Sequence, residues 1–273
     1  MKVLVTGADG FVGQHVVRVL LDRGHQVVGG IHGDEPALST LPREQASLVE
    51  WRPFDLSHGE TVHDLVRTAR PDALLHLAGV TSVSRSWRDP ETTFQVNATG
   101  ALHLLMAVRR LPAPAVPRPV LLVGSGEVYG VDGTEEAPLR EDRPTSPVNP
   151  YGASKAAQEA VATALGRGDA VRLIQTRSFQ QIGPGQRATF VTVDWARQLL
   201  AIRDAGADPV LRVGNLDITR DFLDVTDAAR AYVDLLEDSG TAGTFNVCSG
   251  RGTTLRRLLA LLQEAVGVPA DVQ

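Results

Sequence analysis

The sequence has 273 residues, of which 43% are hydrophobic and 22% are charged, a composition that is ordinary for a globular protein with a sizeable core. The formal net charge of -5 at pH 7 is spread without long runs, which excludes a strongly basic nucleic-acid-binding surface. Cys248 is the only cysteine, so an internal disulfide and a cysteine-based zinc cluster are excluded.

The sequence also gives no sign of a membrane or secretory segment. No apolar stretch approaches the roughly 20 residues that a transmembrane helix needs. The N-terminus "MKVLVTG" is too soon interrupted for a signal peptide and is typical of a first strand instead. We therefore expect a cytoplasmic protein with no membrane partner, no nucleic-acid partner and no bound metal.

The first half of the chain alternates strand patterns with helix patterns. The run "KVLVT" at 2–6 predicts a buried strand, and the helical spacing after it ends at Gly24. Strands are also predicted at 26–31, 73–79 and 119–125, and a helix at 92–109 with Val96, Leu102, Leu105 and Met106 buried. This alternation predicts an α/β fold, a Rossmann-type doubly wound parallel sheet with helices on both faces.

The second half of the chain alternates less regularly. A long polar loop at 137–150 precedes a helix that begins near Tyr151, and long ordered loops are uncommon unless they are functional. Further elements are a strand at 170–179, a helix after Phe190, a helix from about Val225, a strand near 244–249, and a last helix with Thr253 or Thr254 as its N-cap.

Gly7, Gly10 and Gly13 form G-x-x-G-x-x-G between the first strand and the first helix. Glycines let the backbone turn tightly, and the helix start, with Phe11 and Val12, offers free N–H groups to a pyrophosphate. A glycine-rich turn without a ligand is the alternative, but the strand–loop–helix context favours dinucleotide binding. We therefore divide the chain into a dinucleotide-binding domain at 1–175 and a mainly substrate-binding region at 176–273, with the strand near 244–249 returning to the first.

Residues after the second and third strands bear on the choice of dinucleotide. An acidic residue at the end of the second strand would hold the 2′-hydroxyl of NAD, but His32 stands there and Asp34 lies further on. NADH and NADPH both stay open, with NADP(H) the favoured one. In "PFDLSH", Asp55 is placed to reach the adenine together with Leu56, and a helix cap is the alternative role for Asp55.

The chain resembles the extended short-chain dehydrogenase/reductases, the NAD-dependent epimerase/dehydratase family of nucleotide-sugar enzymes. Four motifs carry this resemblance: "TGADGFVG", "HLAG", "GSGEVYG" and "YGASK". The resemblance covers essentially the whole chain, in order. It implies an NAD(P)-dependent oxidoreductase in which Tyr151 and Lys155 of Y-x-x-x-K are catalytic, with Ser125 as the strand-end serine. It also implies that the cofactor contacts Leu77, Ala78 and Gly79 of "HLAG", Asn97 of "FQVNATG", Tyr151 and Lys155.

Elementary electrostatics agrees with the roles of this pair. Residues four apart share one face of a helix. A lysine ~5 Å from the phenol of Tyr151 would favour the phenolate by ~3 kcal/mol at an effective dielectric near ~20, which moves the pKa from ~10 toward ~8. Ser125 ends a parallel strand, where open α/β sheets bind ligands. The alternative is an ordinary packed helix start.

The C-terminal half resembles the GDP-6-deoxy-D-mannose reductase branch of the family, in "TRSFQQIGPGQ", "FVTVDWARQL" and "TRDFLDVTDAARAY". This resemblance implies NAD(P)H-dependent reduction of the C4 keto group of a nucleotide-linked 4-keto-6-deoxyhexose, with GDP as the expected nucleotide. By resemblance Arg220 pairs with the phosphates, and a salt bridge to Asp221 or Asp224 is the alternative. Further substrate contacts are implied for Ser82, Ser125, Gly126, Glu127, Gln180, Phe190, Gln198 and Asn215.

Glu127 keeps other reactions open. Dehydratases of the family use a carboxylate at this position as a base, usually after a second acid, where this chain has Gly126. One dehydratase branch also lacks that acid, so a 4,6-dehydratase or 4-epimerase stays an alternative. A non-catalytic NADP-binding regulator is a second alternative, although such proteins lose the tyrosine or the lysine. The resemblance also implies a homodimer formed through the helices at 92–109 and 151–165.

Two departures from the family pattern concern the substrate region. The usual "FN" is replaced by Phe179 and Gln180, with Gln181 following, which alters the wall of the active site. The sequence also ends at "GVPADVQ", earlier than the family usually does, and the later part normally adds contacts to the nucleotide diphosphate.

Overall fold

A computed structural model describes residues 1–112, 118–130, 138–167, 171–205, 210–269 and 271–272. The strands are β1 (Lys2–Thr6), β2 (Gln26–Ile31), β3 (Glu50–Pro53), β4 (Ala73–His76), β5 (Arg118–Val123), β6 (Val171–Ser178), β7 (Gln180–Ile182), β8 (Val210–Leu211), β9 (Thr219–Asp224), β10 (Gly243–Val247), β11 (Gly252–Thr254) and β12 (Asp271–Val272). The α-helices are α1 (Phe11–Asp22), α2 (Arg43–Ala46), α3 (Gly59–Ala69), α4 (Val83–Arg88), α5 (Pro90–Phe94), α6 (Gly100–Arg109), α7 (Pro150–Leu165), α8 (Val191–Ala205), α9 (Val225–Glu237) and α10 (Leu255–Val266).

A parallel sheet forms the centre of the molecule. Among the described residues it has seven strands in the order β10-β6-β5-β4-β1-β2-β3, and every neighbouring pair is parallel. Because β1 lies between β2 and β4, the strand order reverses there, and the carboxyl ends of β1 and β4 border the crevice where such sheets bind ligands. The predicted doubly wound α/β fold is confirmed.

The apolar runs of the sequence are buried on both faces of this sheet. Val3, Leu4 and Val5 of β1 have no exposed surface, and each buried side chain of this size contributes about 1.5–3 kcal/mol to folding. Val3 and Val5 pack in one cluster with α1 and α9, whereas Leu4 packs in the other with α3 and α6. This alternation explains why the strand reads as a continuous apolar run.

The chain leaves the main sheet after β6 and returns to it with β10. Outside the main sheet, β7 and β9 from before β10 form a small sheet with β11 from after it, in the order β11-β9-β7, and β8 pairs with β12. A third cluster of buried residues lies under α8 and α10, with Trp195 2% exposed. Thr254 caps α10 by accepting a hydrogen bond from the backbone of Arg257 at 3.1 Å, so the predicted N-cap is confirmed.

The helix predicted at 92–109 is interrupted. A π-helical turn at Gln95–Thr99 separates α5 from α6. Such a turn adds a residue, which rotates the following helix face by about 100° against an uninterrupted α-helical pattern. Leu105 is buried as predicted, but the prediction for Met106 is wrong, since 38% of it is exposed.

Along the described parts of the chain, none of the helices has the length and apolar character needed to cross a membrane.

Candidate active site

The glycine loop closes tightly between β1 and α1. Gly7 has a φ of 71°, and a Cβ there would lie 2.9 Å from the backbone nitrogen of Ala78. A Cβ on Gly13 would lie 2.1 Å from the carbonyl oxygen of Gly7. Gly10 differs, because its φ of -71° suits any residue and its Cβ would meet only Gly7 O, at 3.1 Å. Gly7 and Gly13 therefore shape the loop, whereas Gly10 keeps its outer side open.

This loop fits an anionic group. α1 begins at Phe11 with no side-chain cap and no acidic residue in its first turn. The first N–H groups of a helix, here those of Phe11, Val12 and Gly13, have no acceptor within the helix, and the helix dipole makes this end positive. The open side at Gly10 lets a phosphate approach these donors.

Asp55 holds a turn ahead of α3, whose N-cap is His58, so the alternative role of Asp55 as a helix cap is wrong. Its carboxylate accepts hydrogen bonds from the backbone and hydroxyl of Ser57 at 2.9 and 2.6 Å. The bond from the Ser57 hydroxyl has the largest effect on the pKa of Asp55, and both bonds lower it. Leu56 is 5% exposed and packs against Gly100, where a Cβ would lie 2.4 Å from its Cγ. His32 is exposed just beyond β2. Contacts of these residues with a dinucleotide stay predictions.

The "HLAG" segment forms the opposite wall of the crevice. Leu77 donates its N–H to the carbonyl of Thr6 at 3.1 Å, which holds the segment beside Gly7. At Gly79 a Cβ would lie 2.8 Å from Asn97 Oδ1 and 3.7 Å from Lys155 Nζ. The absence of a side chain there leaves these two polar groups facing the crevice.

Asn97 lies on the π-helical turn and is fully buried. Its amide donates to Val80 O at 3.0 Å and to Ser154 Oγ at 2.9 Å, and it accepts the N–H of Val80 at 2.8 Å. Asn97 therefore ties the loop after β4 to α7, the helix that carries Tyr151 and Lys155. π-Helical turns occur frequently at functional sites.

Ser125 and Tyr151 meet at the carboxyl end of β5. Ser125 Oγ accepts the N–H of Glu127 at 3.2 Å and lies close enough to the phenol of Tyr151 to influence its pKa. Tyr151 lies in the first turn of α7, whose N-cap Asn149 accepts the N–H of Gly152 at 2.7 Å. Burial raises the pKa of Tyr151 to about 12. The hydroxyl of Ser125 acts in the opposite direction and lowers this pKa, whereas the negative charge of Glu127 raises it further.

The expectation that Lys155 lowers the pKa of Tyr151 toward ~8 is therefore wrong for this structure. The ammonium of Lys155 donates to Val123 O at 3.0 Å and to Gln158 Oε1 at 2.9 Å. Tyr151 and Lys155 do share one end of α7, and both are buried, at 9% and 6% exposed. The estimate from the sequence included the cation but omitted the desolvation of the phenol.

Glu127 has a partner that the sequence did not indicate. Its Oε2 accepts a hydrogen bond from Asn149 Nδ2 at 2.8 Å, so one amide both caps α7 and holds this carboxylate. At the preceding position, a Cβ on Gly126 would lie 3.4 Å from the ring of Phe179. An Asn before Pro-Tyr is a typical N-cap, but its second bond depends on how β5 and α7 meet.

A buried hydrogen-bonded group next to this site was also missed. The hydroxyl of Tyr232 on α9 lies 2.6 Å from Ser178 Oγ and accepts a hydrogen bond from Gln181. Burial raises the pKa of Tyr232 to about 12. The helical pattern alone makes Tyr232 an ordinary core position, so only tertiary packing identifies this contact.

The predicted substrate residues are spread around the crevice and the C-terminal region. Gln198 holds the backbone of Arg212 through two hydrogen bonds at 3.0 and 3.3 Å, and Asn215 accepts the N–H of Asp217 at 2.9 Å. The others lie at the N-cap of α4 (Ser82), on β7 (Gln180), before α8 (Phe190) and on β9 (Arg220).

The carboxylates beside Arg220 have backbone partners. Asp221 accepts the N–H groups of Ser249 and Arg251 at 2.7 and 3.1 Å, and Asp224 caps α9 through the N–H of Thr226 at 2.7 Å. Arg220 donates to the carbonyl of Thr219 at 2.9 Å. Its contact with a substrate phosphate stays a prediction.

Comparison with known proteins gives matches over the whole chain. Residues 4–272 match the family model described as GDP-mannose 4,6 dehydratase. GDP-6-deoxy-D-mannose reductase from Pseudomonas aeruginosa is 34% identical over 271 residues, which cover 99% of this chain and 82% of the relative.

Two solved structures are similar in fold. UDP-glucose 4-epimerase from Thermus thermophilus, in complex with NAD, has a TM-score of 0.85 and 31% identity, with coverage of 100% of this chain and 86% of that one. A protein called RMD from Pseudomonas aeruginosa, in complex with NADPH, has a TM-score of 0.81 and 32% identity, with coverage of 100% and 84%. The matches include the sheet, the crevice and the C-terminal region.

Proposed function

This chain belongs to the GDP-mannose 4,6-dehydratase family of NAD-dependent nucleotide-sugar enzymes, and we propose that it is a ketoreductase within that family. The proposed reaction is NAD(P)H-dependent reduction of the C4 keto group of a nucleotide-linked 4-keto-6-deoxyhexose. The nucleotide we propose is GDP, on the basis of the Pseudomonas aeruginosa reductase. The relatives in complex with NAD and NADPH support a nicotinamide cofactor of either kind.

The observation that carries this proposal is the buried phenol of Tyr151 beside Ser125 at the carboxyl end of the sheet. A buried phenol that keeps its proton is a general acid, and reduction of a ketone needs a proton donor at the carbonyl oxygen. Dehydration and epimerisation begin with the opposite step, removal of the proton from the C4 hydroxyl. Protonated Tyr151 therefore supports the reductive direction.

The proposed proton transfer uses the side chains in these positions. When bound, the reduced nicotinamide supplies a hydride to the C4 carbonyl carbon. Tyr151 gives its phenolic proton to the carbonyl oxygen, so a C–H and an O–H bond form and a hydroxyl results. Ser125 accepts an N–H from Glu127, which leaves its own hydroxyl proton for the reacting oxygen or for the phenolate.

The glycine loop supports the cofactor part of the proposal and gives a first prediction. We expect Gly10→Val to fold, since φ at Gly10 is -71°, but to bind NADPH about 100-fold more weakly, because the side chain blocks one or two charge-assisted hydrogen bonds. The measurement is a fluorescence titration of NADPH. Gly240→Val is the control, since its Cβ would meet only Asp238 Oδ1 at 3.7 Å. Unchanged affinity in Gly10→Val would contradict this role of the loop.

The second prediction tests the reaction itself. With GDP-4-keto-6-deoxymannose supplied, we expect the reduced-nicotinamide absorbance to fall in proportion to the keto sugar consumed. UDP- and dTDP-linked keto sugars are the matched comparison for the nucleotide. No oxidation of NADH or NADPH with any of them, together with water loss from GDP-mannose, would replace the reductase proposal with a dehydratase.

Glu127 supports the dehydratase as the second candidate. Its carboxylate lies two residues beyond Ser125 and its charge acts on the phenol of Tyr151, so it is close to the reacting groups. Two features weigh against it. Asn149 already bonds this carboxylate at 2.8 Å, and the ring of Phe179 lies where a second acid at 126 would extend.

A further inference from the structure

The ammonium group of Lys155 is held in a small closed set of hydrogen bonds. It donates to Val123 O at 3.0 Å and to Gln158 Oε1 at 2.9 Å, while Gln158 Nε2 donates to the same carbonyl at 3.3 Å. Gln158 is 2% exposed and lies three residues after Lys155, on the same face of α7. The amide therefore contacts both the cation and its backbone acceptor.

A buried ammonium needs such acceptors, because water no longer solvates it. Lysine also differs from arginine in that its amine loses its proton readily when it is buried. Lys2 and Lys155 are the only lysines in the sequence, although Lys and Arg together number 27. The one buried lysine of the protein therefore lies at the proposed catalytic site.

We propose that Gln158 is a positioning residue for the reaction, whose amide keeps Lys155 charged and anchored on the carbonyl of Val123 at the edge of the crevice. Gly79 borders Lys155 on the crevice side, since a Cβ there would lie 3.7 Å from Lys155 Nζ. Gln158 itself touches neither the phenol nor the crevice groups named above. It acts only through Lys155, and this role rests on the proposed function of that lysine.

The other titratable groups around Lys155 come from the neighbouring elements. His76 on β4 is buried. Its burial, and to a smaller extent the charge of Lys155, lower its pKa to about 3, so His76 is neutral. Tyr151 on the same helix and Tyr232 on α9 have pKa values of about 12 and are neutral as well. Glu127, after β5, acts on Tyr151. Among these described groups, Gln158 is the side chain that bonds the ammonium.

The test measures the titration of Lys155 directly. Protein labelled with ε-15N-lysine gives one NMR signal for Lys155 and one for Lys2, which serves as the internal reference. Burial lowers the pKa of Lys155 to about 8. Gln158→Leu removes a hydrogen-bond acceptor that stabilises only the charged form of Lys155. We therefore expect the titration midpoint of Lys155 to fall by about one pH unit in this variant. Gln158→Glu places a carboxylate there, so we expect the midpoint to rise.

Gln175→Leu is the matched control. Gln175 is 6% exposed, and its amide bonds Thr163 at 3.1 Å rather than Lys155 or Val123. We therefore expect this variant to remove a buried amide without changing the Lys155 titration. In turnover assays we expect kcat of Gln158→Leu to fall about 10-fold at neutral pH, with KM for the keto sugar nearly unchanged, whereas Gln175→Leu keeps both.

The NMR titration separates this inference from the proposed function, because it needs neither cofactor nor sugar. A shifted Lys155 midpoint in a protein that reduces no keto sugar would uphold the link between Gln158 and Lys155 and overturn the reductase proposal. An unshifted midpoint in both Gln158 variants would overturn the inference, whatever reaction the protein catalyses. Gln158→Glu keeps the size of the side chain, so the test stands even where Gln158→Leu fails to fold.

Discussion

Tyr151→Phe is expected to lower kcat by about 10²- to 10⁴-fold, which is the usual contribution of a positioned general acid. The change removes the phenol hydroxyl beside Ser125 and leaves the buried ring in place at the start of α7. We therefore expect the variant to fold and to bind NADPH with nearly unchanged affinity. The measurement is steady-state oxidation of NADPH with the keto sugar, alongside a cofactor titration.

Tyr129→Phe is the matched control for that experiment. Tyr129 is 1% exposed, and its hydroxyl donates to Asn246 Oδ1 at 2.7 Å, so the substitution also removes one buried hydroxyl and one hydrogen bond. We expect a modest loss of stability, about 1 kcal/mol, and kcat within a few-fold of the wild type. Full activity of Tyr151→Phe would remove the phenol from the mechanism, and an equal loss in both variants would assign the effect to packing.

The parts of the fold that follow local patterns were predictable from the sequence. The apolar run of β1, the glycines after it and the capping threonine of α10 each act over a few residues, so their spacing alone carries the information. The Y-x-x-x-K spacing likewise places Tyr151 and Lys155 on one face of α7. The alternation predicts a parallel sheet, and right-handed crossovers limit the possible strand orders, but the order β10-β6-β5-β4-β1-β2-β3 is known only from the structure.

The electrostatics of the site could not be predicted in the same way. Spacing brings Lys155 near Tyr151, but the pKa of the phenol is raised by burial, and burial depends on elements far away in the chain. Gln158 and Asn149 also showed no functional signal, because each gains its second partner only where α7 packs on the end of β5. The π-helical turn at Gln95–Thr99 left no trace in the apolar pattern, so Met106 was placed on the wrong face.

The second large effect concerns Arg177, whose side chain is buried on β6. Its guanidinium bonds both carboxylate oxygens of Glu159 at 2.6 and 3.1 Å, and the carbonyls of Glu141 and Arg143 at 3.0 and 3.3 Å. It also lies 4.8 Å from the ring centre of Tyr129. One side chain therefore connects α7, the segment after Ser125 and the polar loop that leads to Tyr151.

Arg177→Ala is expected to reduce the free energy of unfolding by about 3 kcal/mol, the lower end of the cost of breaking a buried ion pair, since the Glu159 side chain keeps 21% of its surface exposed. The free energy is measured by urea unfolding followed by circular dichroism, and thermal unfolding is expected to show a fall in Tm of roughly 6–12 °C for a chain of this size. Arg203→Ala is the control. Its pair with Asp204 is about half exposed on both sides, so we expect a change of less than about 0.5 kcal/mol.

The double variant Arg177→Met with Glu159→Leu separates the charge from the packing. If the cost of Arg177→Ala comes from leaving the Glu159 carboxylate without its partner, removing both charges is expected to recover part of the stability, because apolar pairs often replace buried ion pairs without loss. The carbonyls of Glu141 and Arg143 would still lack their donor, so in both variants the polar loop before Tyr151 is expected to be loosened and kcat to be lower than in the wild type. A double variant with both stability and kcat restored would contradict this role of Arg177 in holding the loop before Tyr151.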